Sequence, residues 1–118
     1  MTPIDTTNVE HYLWGNGCDG WHLLKRDDVS IIFERVPPGE AEVKHYHNAS
    51  RQFFFILDGV GVIEFDNERV ELKKHQGIEI APQVAHKFRN DSASDVRFIV
   101  VSFPKSHGDR VLVRTEAR

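Results

Sequence analysis

Two histidines, His45 and His47, stand two apart in a strand-like stretch bounded by Pro37-Pro38-Gly39 before it and Asp58-Gly59 after it. Side chains alternate faces along an extended strand, so both rings leave one face of the sheet, about 6 to 7 Å apart. From there two imidazoles can reach a single metal ion. The prolines stop the strand before them, and Gly39 turns the chain into the histidine strand. Beyond the pair, Gln52 leads the run FFFILDG, apolar on both faces as in a strand enclosed between an interior and another layer. If Gln52 points inward, Phe54 and Ile56 do too, while Phe53, Phe55 and Leu57 face outward. Such an outward face needs a cover, either a second sheet or a second protomer, and its apolar excess favours a homodimer.

The rest of the chain keeps the same rhythm. HLLK, VSIIFERV, VGVIEF, RVELK, HKFRN and VRFIVVSF are short strand-like runs separated by turn residues, and no segment has a helical period. The expectation is therefore an all-β barrel or sandwich. The chain's 118 residues, 40% of them hydrophobic, are enough for one domain spanning 1–118 with a proper core. Residues 1–25 read as an irregular arm whose Trp14 and Trp21 pack on a sheet or on a partner chain. The inward phase of Ile31–Val36 is left open, and so are those of Glu34 and Glu79. Ser106–Arg110 reads as a turn with an ion pair between Asp109 and Arg110 or a neighbour. Residues 114–118 read as a flexible tail.

The spacing around the histidine strand resembles the first motif of the cupins. Gly39, five residues, His45, one, His47, four, Gln52, six and Gly59 fit that pattern throughout, with Gln52 where a Glu is usual. A second cupin motif is present in altered form within HQGIEIAPQVAHKFRN. There His86 and Asn90 match, Pro82 falls one place late, and His75 and Gln83 occupy the positions of two glycines. The resemblance implies a double-stranded β-helix, or jelly-roll, with His45, His47, Gln52 and His86 converging inside the barrel on a divalent transition metal. Imidazole and amide oxygen suit Mn, Fe, Ni, Co, Cu or Zn alike. A Gln leaves the ion's charge at +2 where a Glu would have reduced it, which favours an anion in the open positions. Gln52 either ligates directly, hydrogen-bonds a metal-bound water, or fills the cavity of a barrel that has lost its metal.

The resemblance implies a small-molecule ligand or substrate. Three classes follow: a metal-dependent enzyme of oxygenase or lyase type acting on an anionic or enolisable molecule, a binding or sensing protein without turnover, and, least favoured, a sugar isomerase. A net charge of −3 and a pI near 6.1 give no basic surface for nucleic acid. No leader-like or membrane-spanning stretch is recognisable, so no membrane partner and a cytoplasmic location are expected. The lone Cys18 excludes an intrachain disulfide and reads as a structural or surface thiol. His11, His22, His75 and His107 have no partner at metal spacing and read as surface or hydrogen-bonded residues.

Overall fold

The computed structural model describes residues 1–113, and the expected tail at 114–118 lies outside them. In chain order the described residues form β1 (His11–Trp14), β2 (Cys18–Lys25), β3 (Ser30–Val36), β4 (His45–His47), β5 (Arg51–Asp58) and β6 (Gly61–Glu64). They continue with β7 (Arg69–Leu72), β8 (Gly77–Ile80), β9 (Lys87–Arg89), β10 (Val96–Phe103) and β11 (Arg110–Leu112). There is no helix among them, so none is long and apolar enough to cross a membrane. One six-stranded sheet runs β1-β2-β3-β10-β5-β8, and it faces a three-stranded sheet β7-β6-β9 and a two-stranded pair β11-β4. This is the all-β architecture that the strand rhythm called for, in the jelly-roll form that the cupin resemblance implied.

Antiparallel register fixes which side chains meet inside. Gln52 pairs with Ser102, Phe54 with Val100 and Ile56 with Phe98, while Ser102, Val100 and Phe98 pair in turn with Ser30, Ile32 and Glu34. Apart from Glu34 and the site residues these inward rows are core, with Phe54, Ile56, Phe98 and Val100 all buried beside Phe88, Ile63 and Leu72 from the smaller sheet. Phe88 and Phe98 stack at 4.2 Å between ring centroids, which joins the two layers. Burying each such ring contributes roughly 2 to 3 kcal/mol. The alternation expected from Gln52 holds, for Phe53, Phe55 and Leu57 are the more exposed set on β5.

Two expectations need correction. From His11 on the N-terminal segment is regular: β1 and β2 form a hairpin on the edge of the large sheet. The alternation that marks it was hidden because Trp14 and Tyr12 face the core while Trp21 faces out and stacks on Phe33 at 5.2 Å. Cys18 opens β2 fully buried, and its thiol is pushed up to about 11 by that burial, so it is a structural thiol and not a surface one. The second correction is at residues 106–112, where β11 pairs with β4. Asp109 makes no ion pair with Arg110 there, because its carboxylate accepts the backbone N–H groups of Asn48, Ala49 and Ser50 at 2.8 to 3.0 Å. β8 also lay unread in GIEI, and it pairs with β5 beside Gln52.

The two positions where cupins usually carry glycine keep the glycine conformation. His75 and Gln83 have φ of 67° and 69°, the left-handed region that costs most side chains strain. The ring of His75 lies flat against Phe55 at 6.2 Å, and the amide of Gln83 donates to the carbonyl of His47. The turn before β8 and the turn before β9 therefore carry these two positions without glycine.

Candidate metal centre

β4 projects His45 and His47 inward on either side of Tyr46, which pairs with Val111 and does not line the cavity. His86 reaches the same point from the other direction, through a bridge in which its backbone exchanges both hydrogen bonds with that of His45. Gln52 comes from the start of β5. His45, His47, Gln52 and His86 are all buried, with His86 only 1% exposed. Ring-nitrogen atoms of the three histidines lie within 4.8 Å of one another.

Hydrogen bonds fix which nitrogens face inward. Each Nδ1–H donates to a backbone carbonyl: His45 to Val43 at 2.8 Å, His86 to Val84 at 2.9 Å and His47 to Asp109 at 3.0 Å. That sets one tautomer for all three rings and leaves every Nε2 with a bare lone pair. The Gln52 amide is oriented likewise, since its NH₂ donates to Ser102 Oγ at 3.0 Å and turns Oε1 toward the rings. The result is an unusual juxtaposition. His86 Nε2 and Gln52 Oε1, two acceptors, lie 3.1 Å apart, and His47 Nε2 is buried with no hydrogen-bond partner.

A proton does not resolve this at neutral pH. Burial pushes the His45 imidazole down to about 3 and that of His86 to about 4, and it lowers His47 as well. Four neutral electron-pair donors facing one another with no hydrogen between them is the donor set a cation requires. The residues present therefore fit a divalent metal.

The site opens on a cavity of about 270 Å³ between the sheets. Its polar end is His45, His47 and Gln52, its floor is Ile32, Phe54 and Val100, and Tyr12, Trp14, Glu34 and Glu42 line the rest. The exposed His107, Gly108 and Arg110 form the rim. Glu34 was the residue whose phase the sequence left open. It sits between inward-facing Ile32 and Val36 and thus points inside, whereas Glu79 points out and pairs with Arg51 at 2.8 Å. Burial raises Glu34 to about 8 and Glu42 to about 7, and the Glu42 charge adds to the rise at Glu34. The remaining histidines stay outside the cluster. His11 hydrogen-bonds Asp19 at 2.7 Å, His107 is at the rim, and His22 is buried against Tyr12 with its Nδ1 unpartnered.

Comparisons agree with this geometry. The sequence pattern of the cupin domain family matches residues 32–102. An uncharacterized protein of Methanocaldococcus jannaschii is 36% identical over 89 residues, which are 75% of this chain and 71% of that protein. Two Streptomyces proteins also match, the polyketide synthase CurC of S. cyaneus at 32% identity over 52% of this chain and SchB of S. halstedii at 33% over 54%. The chain spans under half the length of both, 40% and 46%. Among solved structures, the polyketide cyclase RemF of Streptomyces resistomycificus superposes with a TM-score of 0.82 at 17% identity, over 98% of this chain and 87% of that one. A double-stranded β-helix protein of Klebsiella pneumoniae does so with a TM-score of 0.79 at 14% identity, over 98% and 99%. At those identities the structures speak for the barrel alone. The sequence match takes in more than half of the chain and contains all four converging side chains, and on that ground this protein belongs to the cupin domain family.

Proposed function

We propose that His45, His47, Gln52 and His86 hold a divalent transition metal, and that the protein is a metal-dependent enzyme acting on a small anionic or enolisable molecule. The observation that supports this best is the acceptor-against-acceptor contact of His86 Nε2 with Gln52 Oε1 beside the unpartnered Nε2 of His47. When bound, the metal would supply Lewis acidity to an oxygen of the ligand. The chain's own groups do the rest. Backbone carbonyls at Val43, Val84 and Asp109 hold the three rings in the ligating tautomer. Ile32, Phe54 and Val100 keep the floor of the cavity dry, and the Arg110 guanidinium at the rim attracts anions. RemF is a polyketide cyclase and CurC a polyketide synthase, and both support a carbonyl-rich, enolisable ligand class. Elemental analysis of untagged protein, followed by a thermal-shift screen of small carboxylates and enolisable carbonyls, tests the reading. Protein free of metal and unmoved by added Mn, Fe, Co, Ni, Cu or Zn would refute it.

The neutral amide has a definite expected consequence. Gln52→Glu replaces a neutral donor by an anionic one, so metal binding tightens while azide or acetate binding to the loaded protein weakens. Each change is expected to be about tenfold, or 1.4 kcal/mol, readable by calorimetry. Unchanged values for both would place Gln52 outside the metal's ligands.

We also propose a homodimer formed through the outer face of the large sheet. Two apolar rows cross that face, Trp21-Phe33-Ile99-Phe55 and Leu24-Ile31-Val101-Phe53. Leu13, Phe53 and Phe103, at 71%, 38% and 41% exposure, stand in water without cover. Patches of this breadth mark association sites. Light scattering at micromolar concentration is expected to give the dimer mass, and Phe53→Asp is expected to give the monomer.

A further inference from the structure

Glu34 occupies an interior position of a central strand, where the alternation of Ser30, Ile32 and Val36 calls for an apolar residue. Neither it nor Glu42 forms an ion pair with any described residue. Glu42 is held by the barrel itself, accepting the Phe88 amide on Oε1 at 3.0 Å. Both carboxyls line the same cavity as the histidines, with Tyr12 and Trp14 from β1 and Arg110 from β11. The register sets Glu34 well apart from the metal end. Gln52 shares its row with Ser102, Ile32 and Phe54 share the next inward row with Val100, and Glu34 lies in the row of Phe98 and Ile56 beyond that. Two inward rows and two strands separate side chains by on the order of 10 Å or more. Between the ends the floor is Ile32, Phe54 and Val100. Unmet polar atoms occur at both ends. His47, only 4% exposed, has no partner for Nε2, and the buried Trp14 Nε1–H faces the Glu34 carboxyl without a well-formed hydrogen bond.

We infer that the cavity selects an elongated molecule with two oxygen-bearing ends: one end meets the histidine and glutamine cluster, an apolar body lies on Ile32, Phe54 and Val100, and a neutral hydroxyl or carbonyl at the far end is recognised by Glu34, Glu42 and the indole N–H of Trp14. This rests on the reading of the cavity as a small-molecule site and narrows its ligand class. The far end takes a neutral group, not a cation, because crowded carboxyls without ion-pair partners hold protons and offer both donors and acceptors. The charges facing Glu34 are those of Glu42 and, at longer range, Arg110, with the Tyr12 phenol staying protonated beside them.

Three rigid probes test this: para-hydroxycinnamate, cinnamate, and para-aminomethylcinnamate, whose far end is an ammonium. Their affinities are measured by calorimetry on wild-type protein, Glu34→Leu and Glu34→Gln, each with and without added Zn²⁺. The hydroxyl compound is expected to bind wild type at least tenfold tighter than cinnamate. That preference is expected to fall below twofold in Glu34→Leu and to survive in Glu34→Gln, whose amide still donates and accepts. The ammonium compound is expected to bind no tighter than cinnamate. Equal binding of the first two probes, absence of binding by either, a preference that persists in a folded Glu34→Leu, or tighter binding of the ammonium compound would overturn the inference. A failure of the metal reading looks different, since it removes the zinc dependence of all three probes and leaves the hydroxyl preference in place.

Discussion

Replacing His86 by alanine is expected to abolish most of the stabilisation that metal gives this protein. A ligand present at a thousand times its dissociation constant raises stability by about 4 kcal/mol. His86 supplies one of three imidazoles, and its Nε2 faces the Gln52 oxygen, so alanine takes away a donor and loosens the orientation of a second group. Loss of a mere supporting partner weakens metal binding 10- to 100-fold, and loss of a ligand is expected to reach at least the upper end of that range. A hundredfold change is about 2.7 kcal/mol, or on the order of 10 °C in Tm for a chain of this length. His86 also packs edge-on against Phe54, so the variant leaves a gap and loses stability without metal as well. The quantity to read is therefore a double difference: Tm with and without Zn²⁺ or Ni²⁺, in wild type and in His86→Ala. A metal-dependent increment equal in the two proteins would show that His86 is not a ligand.

The metal-free protein is expected to be most stable between about pH 4.5 and 6.5 and to weaken on both sides. Two sets of buried groups act in opposite directions. In the unfolded chain the histidines take up protons near pH 6.5, whereas in the fold burial holds His45 and His86 neutral to about 3 and about 4. The unfolded state then binds more protons, so their contribution is complete above pH 6.5 and is lost as pH falls toward 4 and 3. Glu34 and Glu42 behave in reverse. Their folded values of about 8 and about 7 exceed the unfolded 4.5, so the fold binds more protons and stability is lost as pH rises from 4.5 to 8. Between 4.5 and 6.5 the two slopes oppose each other and the curve is flat. Across the alkaline limb, from pH 6.5 to 8, Glu34 alone contributes a loss of about 2 kcal/mol. Urea unfolding of chelator-treated protein from pH 4 to 9 checks the shape. Glu34→Leu is expected to remove most of the alkaline loss while leaving the acid limb intact. Stability that rises steadily from pH 6.5 to 8.5 would contradict the assignment.

How much of this was legible follows from what each residue depends on. His45, His47 and Gln52 were readable because a two-residue period fixes a face, and the same period placed Phe54 and Ile56 in the core. β3 was harder. Its acidic inward residue breaks the very alternation used to find the inward side, so Glu34 was invisible until the register with Phe98 was known. The β1–β2 hairpin was missed for a related reason, since Trp14 and Trp21 are both large and apolar yet face opposite ways. The shared acceptor geometry of Gln52 and His86 depends on Ser102 and on three backbone carbonyls, and no local pattern announces partners that far away in sequence. His75 and Gln83 show the limit of reading motifs as residue types. The letters depart from the motif, yet at both positions the backbone keeps the left-handed geometry with other side chains.

Asp109 ties the centre to β11. Its carbonyl takes the Nδ1–H of His47, its carboxylate gathers three amides just after His47, and the adjoining strand β11 zips against β4. The carbonyl contact comes from 62 residues further along, so a chain cut short before Asp109 and β11 would keep all four donor side chains and lose the carbonyl that selects the His47 tautomer.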